Sequence, residues 1–449
     1  MGGSKLSAMR KALPVAFQTI IAMTATVLLI AAVDPTPGML VLGAVLAMTL
    51  SRSKLIDTWR GRVESVIVLP VLAIVTSGVA ALLAFEPLLG AIAFTAAMFF
   101  SVWLRRFGPT WQRIGSLVAL PFITLLIAPA HLGANPALRA AVVSLVALVI
   151  VVAVRTGADA ASRIAGRAAV GAAVPAAQPA DQPPAARTPS TLKPIPSTRM
   201  AIQLGVAIAA AFVLGFWLFP GHWGWVVLTA YLVHAGNRGR ADVLHKSGLR
   251  IAGAAAGSLA AVALGGVHLE GPALVAVVLG AVAVGLLLRD VSYAFWALVV
   301  TLALTVLQSG LGGQPVELWP RVLAILLGAA CGVLTSWFIL PIRSEGVLRL
   351  RIANVLAGLD AMASEGAARP SIAPIDEVAP PFIALARIPF APARWRRAGE
   401  WVRMLRELDQ RDIPPSALPV LRKTRKAMRE PEQIGAALTE LLTALKRED

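Results

Sequence analysis

Apolar residues occupy the chain in long stretches, at about 13–33, 37–50, 64–84, 87–104, 114–130 and 137–155, then at about 200–219, 222–236, 249–267, 271–288, 293–308 and 321–341. Most are close to the roughly 20 residues that a helix needs to cross a bilayer. Short polar breaks separate them, and one long break, 157–198, divides them into two sets of six. That break contains "AAVPAAQPADQPPAARTPSTLKPIPS", which has no hydrophobic period and reads as a flexible or polyproline linker. Beyond 343 the pattern changes. "AGEWVRMLRELDQR" (398–411) and "PEQIGAALTELLTALKRE" (431–448) place apolar residues at helical spacing on otherwise polar segments. The pattern predicts an all-α polytopic membrane protein: two parallel six-helix repeats, about twelve transmembrane helices, plus a small C-terminal cytoplasmic helical domain. The expected divisions are 1–156 (first six-helix half), 157–198 (linker), 199–342 (second half) and 343–449 (tail). "PPFIALARIPFAP" (380–392) is apolar but too short to span, and is expected against the membrane surface or the tail helices.

The polar positions then set the orientation. Arg52, Lys54, Arg60 and Arg62, then Arg105, Arg106 and Arg113, the linker, Arg238, Arg240, Lys246 and Arg250, then Arg289 and the tail, all fall on one side of the alternating path. "DPTPG", "FEP", "AHLGANP", "PGHWG", "GVHLEGP" and "SGLGGQPVELWP" fall on the other and are nearly free of Lys and Arg. Such a bias places the basic side in the cytoplasm, together with both termini. Leu13–Val33, preceded by Lys5, Arg10 and Lys11, is too long for a signal-peptide core, so it is expected to be the first span.

Composition agrees. Of 449 residues, 57% are hydrophobic and 14% charged, with mean hydropathy +0.75. A soluble domain carries about 25% charged residues. The net charge of +17 suggests nucleic acid, but the basic residues lie between apolar runs, where topology explains them. The tail carries 18 Lys and Arg against 14 Asp and Glu, so most of the excess belongs to the membrane part. The one cysteine, Cys331, lies in an apolar run and is expected to be a packing residue.

The halves repeat. At an offset of 186 residues, "GMLVLGAVLAMTLSRSKLIDTWRGR" (38–62) lies against "GWVVLTAYLVHAGNRGRADVLHKSG" (224–248), matching Arg52 with Arg238, Lys54 with Arg240 and Arg60 with Lys246. Gln18 matches Gln203, Arg105-Arg106 matches Arg289-Asp290, and Arg139 matches Arg321 at similar offsets. Six spans per unit keep both repeats in the same orientation, as in parallel-repeat transporters. The second span of each half is short and ends in a cationic collar. Short spans at matching places in two repeats point to a substrate site, and clustered cations concentrate anions at a pore mouth.

No GxxxxGK[ST], HExxH or cysteine pair is present, so no enzyme, cofactor or metal is expected. "GAAAG" (253–257) reads as close helix packing. Arg238, Lys246 and Arg250, with Arg52 opposite, are the expected anion-gathering residues, since a guanidinium holds a carboxylate through two parallel hydrogen bonds. Thr229, Tyr231 and Trp296 are the expected contacts. Trp217, Trp223, Trp225 and Trp319 cluster at the outer edge as an interfacial belt. Thr301, Thr305, Gln18 and Gln203 are polar groups inside spans, which usually face a bundle interior. No Asp or Glu falls mid-span, so coupling is assigned to His234, Asp290 or the substrate's own proton.

"GHWGWVVLTAYLVHAGNRGRADVLHKSGLRIAGAAAGSLAA" resembles the signature of the fusaric-acid-resistance (FUSC) family, which is similar to aromatic acid exporters and more distantly to aluminium-activated malate transporters. Trp225, Leu228 and Thr229, then Arg238 and Lys246, then Arg250, Gly253 and Gly257 carry the resemblance, with Ala254 where the family usually has Thr. It implies export of organic, often aromatic, acids across a bacterial inner (plasma) membrane. A passive anion channel and a non-transporting scaffold with a tail-bound partner are the alternatives. The expected partners are a small organic anion and the lipid bilayer, with homo-oligomer formation left open and no nucleic acid.

Overall fold

The computed structural model describes residues 2–34, 36–127, 135–169, 196–263, 271–289, 291–310, 318–388 and 391–446. Among them there are helices and no strands. Each apolar run falls on one of twelve helices: α1 (Gly2–Val33), α2 (Pro37–Arg52), α3 (Trp59–Phe85), α4 (Pro87–Trp103), α5 (Pro109–Ile127), α6 (Pro136–Ala169), α7 (Pro196–Leu218), α8 (Trp223–His234), α9 (Arg240–Ala263), α10 (Gly271–Leu288), α11 (Tyr293–Gly310) and α12 (Leu318–Phe338). Then follow α13 (Ser344–Glu365), α14 (Ala373–Asp376), α15 (Pro380–Leu385), α16 (Ala393–Asp409), α17 (Leu418–Ala427) and α18 (Ile434–Lys446). Among the described residues six helices are long and apolar enough to cross a membrane: Leu13–Val33, Trp59–Phe85, Pro87–Phe107, Pro136–Ala161, Pro196–Leu218 and Leu318–Phe338. Proline begins α2, α4, α5, α6 and α7, where its missing N–H costs no helical hydrogen bond.

Two sequence boundaries shift. The linker was expected from residue 157, but α6 continues to Ala169. Its last turns, "TGADAASRIAGRAA", are rich in alanine, the best helix former, and the prolines come later. Residues 170–195 lie outside the described residues. The basic stretch after α8 was expected as a loop, but α9 begins at Arg240 and takes up most of it. Asp242 in its first turn accepts a hydrogen bond from the Arg238 backbone N–H at 3.0 Å and places negative charge at the helix N-terminus, while Ser344 Oγ accepts from the first-turn Ala241 N–H at 2.9 Å.

The chain forms two compact units, one of Met1–Leu232 with Leu249–Thr335, the other of Val233–Gly248 with Ser336–Asp449. In the first unit both sequence halves share one apolar core. Phe94 of α4 makes edge-to-face contacts with Phe122 of α5 and Phe212 of α7, at 5.5 and 5.4 Å between centroids. Leu204, Val226, Ala254 and Ile325 pack into the same cluster. A second cluster, with Met23, Leu46, Leu69, Leu117 and Leu148, lies within the first half.

The first unit turns the usual soluble pattern inside out. Phe17, Ile67, Val149, Val213 and Leu259 are each more than 60% exposed, whereas Thr19, Thr26, Thr76, Gln203, Thr229, Thr301 and Thr305 are buried. Water would penalise that outer surface; hydrocarbon would not. Several buried hydroxyls bond to their own helix one turn back, as Thr26 does to the Ala22 carbonyl at 2.7 Å.

The second unit has an ordinary soluble core. Leu348, Ile352 and Leu356 of α13 meet Trp401, Val402 and Leu405 of α16 and Leu438 and Leu441 of α18. Phe382 of α15 is buried in it, so the described part of "PPFIALARIPFAP" packs on the tail helices.

Candidate functional site

Four helices of the second half build a polar seam inside the first unit. It depends on close packing. The backbone of α9 meets α11 at Gly253 and Gly257, where a Cβ would run into the Ala294 and Leu298 carbonyl oxygens. Gly328 of α12 leaves similar room for the Val226 carbonyl and Thr229 of α8. The small-xxx-small spacing of 253–257 therefore serves packing, as expected.

Arg250 lies on α9 within this packed region and is 1% exposed. Its Nη1 reaches Thr301 Oγ1 at 3.5 Å, while its Nε and Nη2 have no hydrogen-bond partner. Thr301 also lies against Gly257, two turns further along α9, so the guanidinium extends deeper along the helix rather than back towards the collar. One turn on, Thr305 donates to the Thr301 carbonyl and accepts from Nη1 of Arg321 on α12. Arg321 is 6% exposed, and its guanidinium lies 4.8 Å from the ring centroid of Trp225 on α8. One face of α11 thus carries two buried arginines, brought in by α9 and α12, at threonines one helical turn apart, about 6 Å along the axis. Among the described residues of 196–232 and 249–335 there is no Asp or Glu. Thr229 and Ser258 add buried hydroxyls without a hydrogen-bond partner.

Arg139, the residue that the sequence aligns with Arg321, has different surroundings. Arg139 is bonded to Asp34 and Thr36. The Arg139 guanidinium holds the Asp34 carboxyl below the usual carboxylate range. At Asp34's position in the second repeat stands Pro220.

The other predicted residues separate. Arg238 and Lys246 belong to the second unit, Arg250 and Arg52 to the first. Asp242 joins the first two: its carboxylate accepts from the Arg238 backbone and pairs with Lys246 Nζ at 3.0 Å. The Arg238 side chain pairs with Glu377, at 3.0 Å to the carboxylate and 2.5 Å to the carbonyl oxygen. Burial holds His245 below the ordinary histidine value, so it adds no charge to this collar at neutral pH. Arg52 closes α2. Tyr231 packs partly buried beside the Phe94 cluster, and Trp296 faces Gly285 and lies 5.6 Å from the Arg289 guanidinium. His234 is buried at the end of α8. Asp290 lies outside the described residues. Trp217 and Trp319 are exposed as a belt requires, whereas Trp225 is buried under Arg321.

Sequence reasoning placed Arg250 with the collar and treated Arg321 only as a repeat match. The available signal was an arginine within an apolar run at each place. Among the described residues no group of three or more His, Cys, Asp or Glu is placed to hold a metal ion.

Residues 206–335 match the family model described as fusaric acid resistance protein-like. The matched stretch contains Trp225, Thr229, Arg250, Thr301, Thr305 and Arg321. No curated protein and no solved structure matches the chain.

Proposed function

We propose that this chain is an inner-membrane transporter that exports organic anions, of the aromatic carboxylate class, from a bacterial cytoplasm. In this reading α1–α12 all cross the bilayer as two parallel six-helix repeats, with both termini and the tail in the cytoplasm. The family match to 206–335 and the apolar outer surface of the first unit support a membrane transporter.

Arg250 carries the anion assignment. A guanidinium in a membrane helix costs up to about 3 kcal/mol, the value for the centre of a span. Leaving its N–H groups unbonded costs about 1–3 kcal/mol more for each. A structural arginine would recover this through a carboxylate, as Arg139 does at Asp34. Arg250 has one long contact to a hydroxyl. A carboxylate on Nε and Nη2 would make the parallel pair of hydrogen bonds that the arginine fork favours. Thr229, Thr301 and Thr305 line the same seam, with Arg321 one turn outward.

Arg238, Lys246 and Arg52 then act at longer range by raising the anion concentration near the cytoplasmic entrance. Tyr231 and Trp296 supply apolar contact for the ring. Coupling to a proton gradient is assigned to His234, Asp290 or the substrate carboxyl. A passive anion channel is the second reading, favoured by the lack of a mid-span carboxylate among the described residues. In proteoliposomes, current that follows voltage alone selects the channel; saturable flux that needs a pH gradient selects the exporter.

A further inference from the structure

The second unit holds a separate cationic cleft. Arg343, just before α13, and Glu345, Gly346 and Arg349 of its first turns form one wall; Arg394, Arg397 and Trp401 of α16 form the other, with Pro431 at the edge, around about 290 Å³. Arg394, Arg397 and Trp401 stand three and four residues apart, so one helix face presents them together. Four guanidiniums line the cleft against one carboxylate, Glu345, which pairs with Arg394 at 3.3 Å. Both walls are helix N-termini, which add partial positive charge. Arg240 presses in behind: its Nε is buried without a hydrogen-bond partner. Burial first, then Arg394 and Arg343, push its pKa down, with Glu345 opposing them.

Elsewhere in this unit carboxylates take several arginines. Asp360 takes Arg422 and Arg425, and Asp376 takes Arg406. Here four guanidiniums share one carboxylate, and the cleft has room for more than one bare ion. We propose that this cleft binds a phosphate ester, its oxygens taken by Arg343, Arg349, Arg394 and Arg397. Guanidinium forks match phosphate oxygens in pairs. The ester has two sources, an anionic lipid headgroup or a soluble phosphate compound. Arg343 follows the last residue of α12 by five positions, within chain reach of a lipid headgroup layer.

The test uses the full chain in neutral detergent, titrated with phosphatidylglycerol or phosphatidylcholine and read by native mass spectrometry. A parallel arm titrates inorganic pyrophosphate and reads thermal stability. Wild type is expected to retain phosphatidylglycerol over phosphatidylcholine, or to be stabilised by pyrophosphate. Arg394→Gln with Arg397→Gln should weaken that binding at least roughly tenfold, the loss expected when charged hydrogen-bond partners go. Arg396→Gln, an exposed neighbour outside the cleft, should leave it unchanged. Retention of phosphatidylglycerol alone identifies a headgroup, and stabilisation by pyrophosphate alone identifies a soluble phosphate compound. Absence of both, or an equal loss in Arg396→Gln, overturns the proposal.

Discussion

Arg250 shows how one residue can be read from its missing partner. Its neighbours Gly253 and Gly257 bring α9 so close to α11 that nothing but a flat or small group fits between them. The guanidinium is held by that packing rather than by an ion pair. Gly257→Val should therefore push α9 from Leu298 and Thr301, at a cost of about 1–3 kcal/mol for overpacking. Thermal unfolding in detergent should show a lower midpoint, with a smaller drop for Gly248→Ala, where a Cβ meets open space. Asp34 gives a residue-scale prediction with a definite sign. Its carboxyl is held below the unfolded value of about 4 by Arg139. Its contribution to stability is thus full above that value and is lost as pH falls through the lower folded value. The stability gap between wild type and Asp34→Asn should be open at pH 7 and close in acid.

At the scale of the helix, the sequence was most legible where apolar runs were long. Among the described residues every run coincides with a helix, and the second run of each half is a short one: α2 has 16 residues and α8 has 12, about 24 and 18 Å. The collar was harder to read. Charge density marked 238–250 as one cluster; Asp242, Lys246 and Arg250 stand four residues apart on one face of α9, and depth along the helix rather than face separates them. Arg238 and Lys246 gather around Asp242, while Arg250 turns into the packed interior. Counter-ions distant in sequence, such as Glu377 for Arg238, left no local trace. The seam on α11 was half visible: Thr301 and Thr305 were recognisable as buried polar groups, but Arg321's approach from α12 is a tertiary fact. Element-scale electrostatics makes a prediction. Arg238 and Lys246 are exposed or half-buried, so removing either charge should act through the field. Lys246→Gln should raise the half-saturating anion concentration at low salt, leave maximal flux intact, and lose its effect at high ionic strength.

For the whole molecule, the two halves that the sequence aligns treat their arginines unequally, in a way that bears on the proposed function. The first half closes its Arg139 with Asp34; the second places Arg321 on Trp225 and Thr305 and Arg250 on Thr301. The family match falls within the second half. Both halves share the Phe94 cluster, so the first is the packing partner of the unit that carries the seam. The most direct test is efflux of a benzoate-type acid from preloaded cells, comparing wild type, empty vector, Arg250→Lys and Arg250→Gln at equal membrane levels. A protonophore arm reports on coupling. The account predicts that wild type loses the acid faster than empty vector, that Arg250→Gln falls to the vector rate, and that Arg250→Lys, which keeps the charge but not the fork, lies between. Efflux by Arg250→Gln at the wild-type rate, or no acid leaving faster than from empty vector, would contradict it.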